Sequence, residues 1–65
     1  MNRYYLTERP PMPGTIPRGC INIMDFGIKK YVQEIDREAW GWVEYERELT
    51  DKEISEYELV TAERK

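Results

Sequence analysis

The stretch from Ala39 to Ile54 constrains the fold more than any other, because it carries a strand pattern straight into a helix start. In an extended chain successive side chains alternate between two faces. Val43 and Tyr45 therefore share one face, while Trp40, Trp42, Glu44 and Glu46 share the other. Trp, Val and Tyr are residue types that fit a pleated surface. Thr50 then stands three residues before Glu53, the spacing of a capping box, in which each side chain takes up a backbone N–H at the other's position. Leu49 before the cap and Ile54 after it are placed to form a hydrophobic staple. The pattern predicts a strand over 40–47, a tight corner and a short helix over 51–57.

A chain of 65 residues makes a single small domain, 1–65. At that size folding buries only roughly 60% of the surface that the unfolded chain exposes. The eight aromatic residues, Trp40, Trp42, Phe26 and five tyrosines, must supply much of the core. The net charge of −3 is unevenly spread. Residues 1–33 carry five Lys/Arg against two Asp/Glu, whereas residues 34–65 carry five against eleven. An acidic second half argues against duplex nucleic acid as the main partner, since phosphate binding wants clustered positive charge. Cys20 is the single cysteine, so the fold holds without an internal disulfide and suits a reducing compartment. No apolar run has the length of a signal peptide or a membrane span, and the expected location is cytoplasmic.

Before that stretch, 2–7 reads as a first strand with Tyr4 and Leu6 on one face and Arg3, Tyr5 and Thr7 on the other. Residues 9–19 hold all four prolines and two of the four glycines. This density removes backbone donors and predicts a stiff, partly polyproline-like loop. Residues 21–23 are a candidate strand, with a turn at Met24-Asp25-Phe26-Gly27. The segment 28–35 fits either a helical stripe or a strand alternation. Its Ile, Val and Tyr content favours a strand paired antiparallel with 40–47 across a loop at 36–38. Residues 59–61 are a possible edge strand, and 62–65 a frayed tail. The predicted class is α+β, with a small, mainly antiparallel sheet of three to five short strands and one short C-terminal helix.

The chemistry available is limited. Without histidine there is no imidazole base, no Ser-His or Cys-His pair and no His-containing zinc site. The carboxylates between Glu44 and Glu53 lack the spacing of a calcium loop, and the four glycines stand singly rather than as a phosphate-binding loop. The residue types therefore predict no catalytic residue, cofactor or metal. One feature has two readings: Trp42 and Trp40 beside Glu44 and Glu46 make a face that is half apolar and half acidic, in which one or both tryptophans either fill the core of a sheet covered by the helix or anchor a protein partner. The alternative is a stacking groove for single-stranded nucleic acid, built from Arg9, Arg18, Lys29 and Lys30 with Tyr5 and Tyr31.

Three blocks occur in an order that resembles a known family: Arg9-Pro10-Pro11-Met12-Pro13-Gly14, then 34–45, then 49–54 with Tyr57-Glu58-Leu59-Val60. The family comprises small uncharacterised proteins encoded on conjugative elements and phages of Gram-positive bacteria. Many of its members carry Gly where this chain has Asp36, which implies a loop there and a strand before it. No activity or catalytic residue is attached to the family. The resemblance therefore implies only a setting, that of an accessory protein of a mobile genetic element. Together with the Trp/Glu face, the expectation is a non-enzymatic protein-interaction module. A single-stranded nucleic-acid-binding accessory protein that uses the basic N-terminal half is the alternative.

Overall fold

The computed structural model describes residues 1–62. Four strands and a helix follow in chain order: β1 (Asn2–Leu6), β2 (Asn22–Val32), β3 (Arg37–Tyr45), α1 (Asp51–Glu56) and β4 (Leu59–Thr61). One turn of 3-10 helix, Pro13–Thr15, stiffens the proline-rich loop between β1 and β2. The strands form one antiparallel sheet in the order β2-β3-β1-β4. This is the small α+β architecture that the alternation and capping patterns predict. No helix among the described residues is long and apolar enough to cross a membrane.

Two predicted pieces are joined. The expected strands 21–23 and 28–34 form the single strand β2, and the turn expected at Met24–Gly27 is a bulge inside it. Asp25 faces Gly41 and Lys30 faces Ala39, so residues 26–29 stand against Trp40 alone. Gly27 adopts φ 80°, and its N–H donates to Asp25 Oδ1 at 2.8 Å. The local turn chemistry was therefore real, but the pairing with β3 resumes after it. The hairpin turn falls at 33–36 rather than 36–38, and β3 accordingly runs 37–45 rather than 40–47. Asp36 takes φ 55°, a left-handed conformation that Gly and Asp tolerate well.

Alternation puts the core on both faces of β1. On the first face Tyr4, Leu6, Val43, Tyr45, Leu49 and Leu59 form a buried cluster, covered by Ile16 and Cys20 from the loop and by Ile54 and Tyr57 from the helix end. The Tyr4 and Tyr45 rings meet edge-on, their centroids 6.1 Å apart. Neither hydroxyl is left unpaired, as burial requires. Tyr45 donates to the Pro17 carbonyl at 2.6 Å, and Tyr4 accepts from the Leu49 N–H at 2.9 Å. Burial pushes the Tyr45 phenol above its usual range. On the second face Tyr5, Ala39 and Ala62 are buried, with Phe26, Val32, Ile35, Trp42 and Val60 against them. Ala62, expected to fray, is buried and donates its N–H to the Arg3 carbonyl at 3.1 Å. The rest of that expected tail, 63–65, lies outside the described residues.

The helix starts as its capping box requires. Thr50 Oγ1 accepts the Glu53 N–H at 3.1 Å, and Glu53 Oε1 accepts the Thr50 N–H at 2.9 Å. Leu49 and Ile54 sit in the same cluster, completing the staple. The helix ends at Glu56, one residue before the expected limit, and Tyr57 is its C-cap. Arg47 adds a two-pronged grip on Glu53, Nη1 to Oε1 and Nη2 to Oε2, each at 2.9 Å. That bond, reinforced by the Thr50 N–H, pulls the Glu53 carboxyl from 4.5 down to about 2.

Two predictions follow from the cap. Thr50→Ala lowers stability by about 1 kcal/mol, read as a shift in the denaturation midpoint. Glu53, with its folded-state pKa below the unfolded one, contributes stability that is fully present above about pH 4.5 and is lost as the pH falls through about 2. The stability difference between the native chain and Glu53→Gln therefore shrinks between about pH 5 and about pH 2. A difference that stays constant over that range would show that Glu53 is not the group being protonated.

Candidate functional site

The second face of the sheet carries two of the predicted binding residues, Trp42 and Glu44, and strand register decides what they meet. Arg3 faces Glu44, Tyr5 faces Trp42, Met24 faces Trp42 from the other side, and Asn22 faces Glu44. Trp42 is half-buried against the Tyr5, Ala39 and Ala62 cluster. The Arg3 guanidinium lies over its ring, 4.0 Å from the centroid. The same guanidinium holds Glu44 Oε2 through Nη2 at 2.8 Å and Nε at 3.0 Å, while Asn22 Nδ2 donates to Glu44 Oε1 at 3.0 Å. The bonds from Arg3, then Asn22, hold the Glu44 carboxyl below its ordinary value.

Of the four predicted residues, the structure brings Trp42 and Glu44 together. Trp40 is half-buried farther along β3, opposite the bulge at 26–29. Glu46 is exposed and lies beyond the last strand residue, Tyr45, because β3 ends where the chain turns toward Leu49. The predicted face is also less acidic than expected, since Arg3 neutralises Glu44. Three contributors were missed: Arg3, Asn22 and Met24. The alternation of β1 put Arg3 on the same face as Tyr5, but only the register places it over Trp42.

The sheet edge beside this face is apolar and open. Met24 is 43% exposed and Ile23 50%; farther along the same strand Ile28 is 62% and Tyr31 60% exposed. Trp42 therefore forms the inner end of a surface that continues over Met24 to the β2 edge. The residues of the alternative stacking groove are dispersed. Tyr5 is buried, with its hydroxyl donating to Glu34 Oε1 at 2.7 Å, and Arg9 is paired with Glu58. Lys29 and Tyr31 are exposed on β2, and Lys30 lies 5.3 Å from the Phe26 ring centroid.

Close approach of two backbones sets this surface. A Cβ added at Gly41 would lie 2.0 Å from the Met24 carbonyl oxygen and 3.0 Å from Pro11 Cγ. Only glycine lets β2 and the buried Pro11 pack there together.

A family model described as "Defence against restriction A C-terminal" matches residues 1–64. The chain belongs to that family. Membership agrees with the mobile-element setting that the resemblance implied. No curated protein and no solved structure matches the chain. Within this family member, Arg3 joins Trp42 and Glu44 into one surface element, its guanidinium touching both the ring and the carboxylate, and Met24 and the β2 edge extend it.

The close contact at Gly41 gives a direct test. Gly41→Ala costs about 1–3 kcal/mol, the range for overpacking, because the obstructing atom is backbone and cannot rotate away. A chemical denaturation curve measures it. An unchanged midpoint would mean that β2 does not cross Gly41 at this distance.

Proposed function

We propose that this domain acts in a mobile element's defence against restriction as a protein-interaction module, binding another protein without turnover, metal or cofactor. Family membership supports the setting. The observation that carries the binding role is Trp42, half-buried and locked under Arg3, with the exposed Met24 beside it and Ile23 on the same sheet edge. A large ring fixed in place loses little conformational entropy when a partner covers it. Glu44, already paired with Arg3, keeps the rim polar without presenting a free charge, and Trp40 and Glu46 lie farther along the same chain segment. The partner fitting this face is a protein with an apolar knob or side-chain pair that seats on Met24 and Trp42.

Trp42→Ala would be ambiguous as a test, because the ring also packs on the Tyr5 cluster. Met24→Glu is cleaner, because its side chain lies outside both core clusters, and a melting transition equal to that of the native chain checks that the fold is kept. The immobilised domain is challenged with lysate from a host that carries a restriction system, and retained proteins are identified by mass spectrometry. A protein retained by the native chain and by Lys52→Glu on the helix, but lost with Met24→Glu, supports the Trp42 face. Equal retention by Met24→Glu overturns it. Retention of single-stranded nucleic acid, released steeply by salt, would support the alternative module that uses the basic N-terminal half.

A further inference from the structure

A second binding feature lies at the other end of the same sheet face, away from Met24. The hairpin turn 33–36 reaches back over the sheet, where Ile35 packs in the Tyr5 cluster and Glu34 takes the Tyr5 hydroxyl. Between this turn and β4 is an open cleft of about 410 Å³, lined by Gln33, Glu34, Ile35, Asp36, Val60 and Thr61.

The β4 wall of the cleft is a sheet edge, since among the described residues β4 is last in the strand order and pairs only with β1. In an antiparallel pair, residues that exchange hydrogen bonds with the neighbour alternate with residues whose N–H and C=O point away from it. Ala62 donates to Arg3, and Val60, two residues earlier, faces Tyr5 in the same kind of position. Thr61, between them, therefore turns its N–H and C=O to the open edge. Such an edge accepts an added strand.

The opposite wall carries charge. Glu34 and Asp36 are exposed, and the ion pairs among the described residues engage Glu8, Glu44, Glu53 and Glu58 instead. Each of the two carboxylates accepts one tyrosine hydroxyl, Tyr5 for Glu34 and Tyr31 for Asp36. Those bonds fix their positions and leave oxygens facing solvent. Ile35 and Val60 give the cleft an apolar floor.

We propose that this cleft docks an extended, lysine- or arginine-bearing segment of another protein. The segment adds as a fifth strand along β4, bonding to the backbone of Thr61. An apolar side chain rests on Ile35 and Val60, and an alternate cationic side chain is read by Glu34 and Asp36. Backbone bonds supply affinity that is independent of side chains, and the two carboxylates supply the preference for cations. This site is separate from the Trp42 face, with Tyr5 between them.

The test titrates the 15N-labelled full chain with two blocked pentapeptides, Lys-Thr-Val-Thr-Lys and Glu-Thr-Val-Thr-Glu, whose first, third and fifth side chains share one face of the added strand. The lysine peptide is expected to shift the amides of Thr61 and of 33–36 saturably and to slow hydrogen exchange at Thr61. The glutamate peptide binds at least about tenfold more weakly. The double variant Glu34→Gln/Asp36→Asn, whose amide oxygens can still accept the two tyrosine hydroxyls, binds the lysine peptide about fivefold or more weakly with an unchanged melting transition. Absence of shifts at Thr61 and 33–36, equal affinity for the two peptides, or full affinity in the double variant overturns the proposal. Shifts confined to Asn22, Met24 and Trp42 would overturn it as well, while leaving the reading of the Trp42 face standing.

Discussion

The Tyr4–Tyr45 contact is the interaction on which the other elements depend. The two rings come from the two central strands and fill the middle of the first core, where both are almost wholly buried. Burial of a tyrosine is favourable only if its hydroxyl finds a partner. Here each hydroxyl reaches a different connecting segment. Tyr45 binds the Pro17 carbonyl, which holds the end of the proline-rich loop over the core, and Tyr4 binds the Leu49 N–H, which positions the residue before the helix cap. Sixty-five residues have little core to spare. Two side chains that pack the interior and also anchor both long connections serve the fold better than aliphatic residues of similar size could.

The opposite face is organised around charge rather than hydroxyls. Arg3 lies on Trp42 and grips Glu44, and Asn22 completes the carboxylate. The group is partly exposed, so its ion pair adds little stability by itself. Its effect is geometric, because a stacked and bidentate-capable guanidinium fixes the indole in one orientation. The same face is closed at its other end by the hairpin turn, through Ile35 and the Glu34–Tyr5 bond. One side of the sheet thus presents a fixed aromatic next to an apolar edge and, across Tyr5, an acidic cleft next to an open strand. The two features lie apart on the sheet, with Tyr5 between them.

The bulge in β2 allows both features to exist. Without it, β2 and β3 would pair as a regular hairpin. With residues 26–29 set against Trp40, the register changes beyond Gly41, and Ala39 and Val32 join Tyr5 and Trp42 in the second cluster. Bulges bend strands and re-aim the side chains beyond them. Gly27 supplies the positive φ and Gly41 the close backbone approach that the bend requires.

What the sequence alone determined were the features written in short-range rules. The Thr50–Glu53 box, the Leu49–Ile54 staple and the alternation of Tyr4/Leu6 and Val43/Tyr45 depend on residues a few positions apart, where hydrogen-bond reach and side-chain period are fixed by backbone geometry. The same rules placed Trp42 and Glu44 on one face, and so part of the candidate site was legible. Tertiary structure decided the rest. The insertion of β1 between β3 and β4, the placing of Arg3 over Trp42, and the fusion of 21–23 with 28–34 all pair segments that are distant in the chain. Their register follows from which arrangement buries both faces of β1 at once. The cleft beside β4 was invisible for the same reason: Glu34 and Thr61 face each other across it only in the folded sheet, and no local pattern in either segment encodes that meeting.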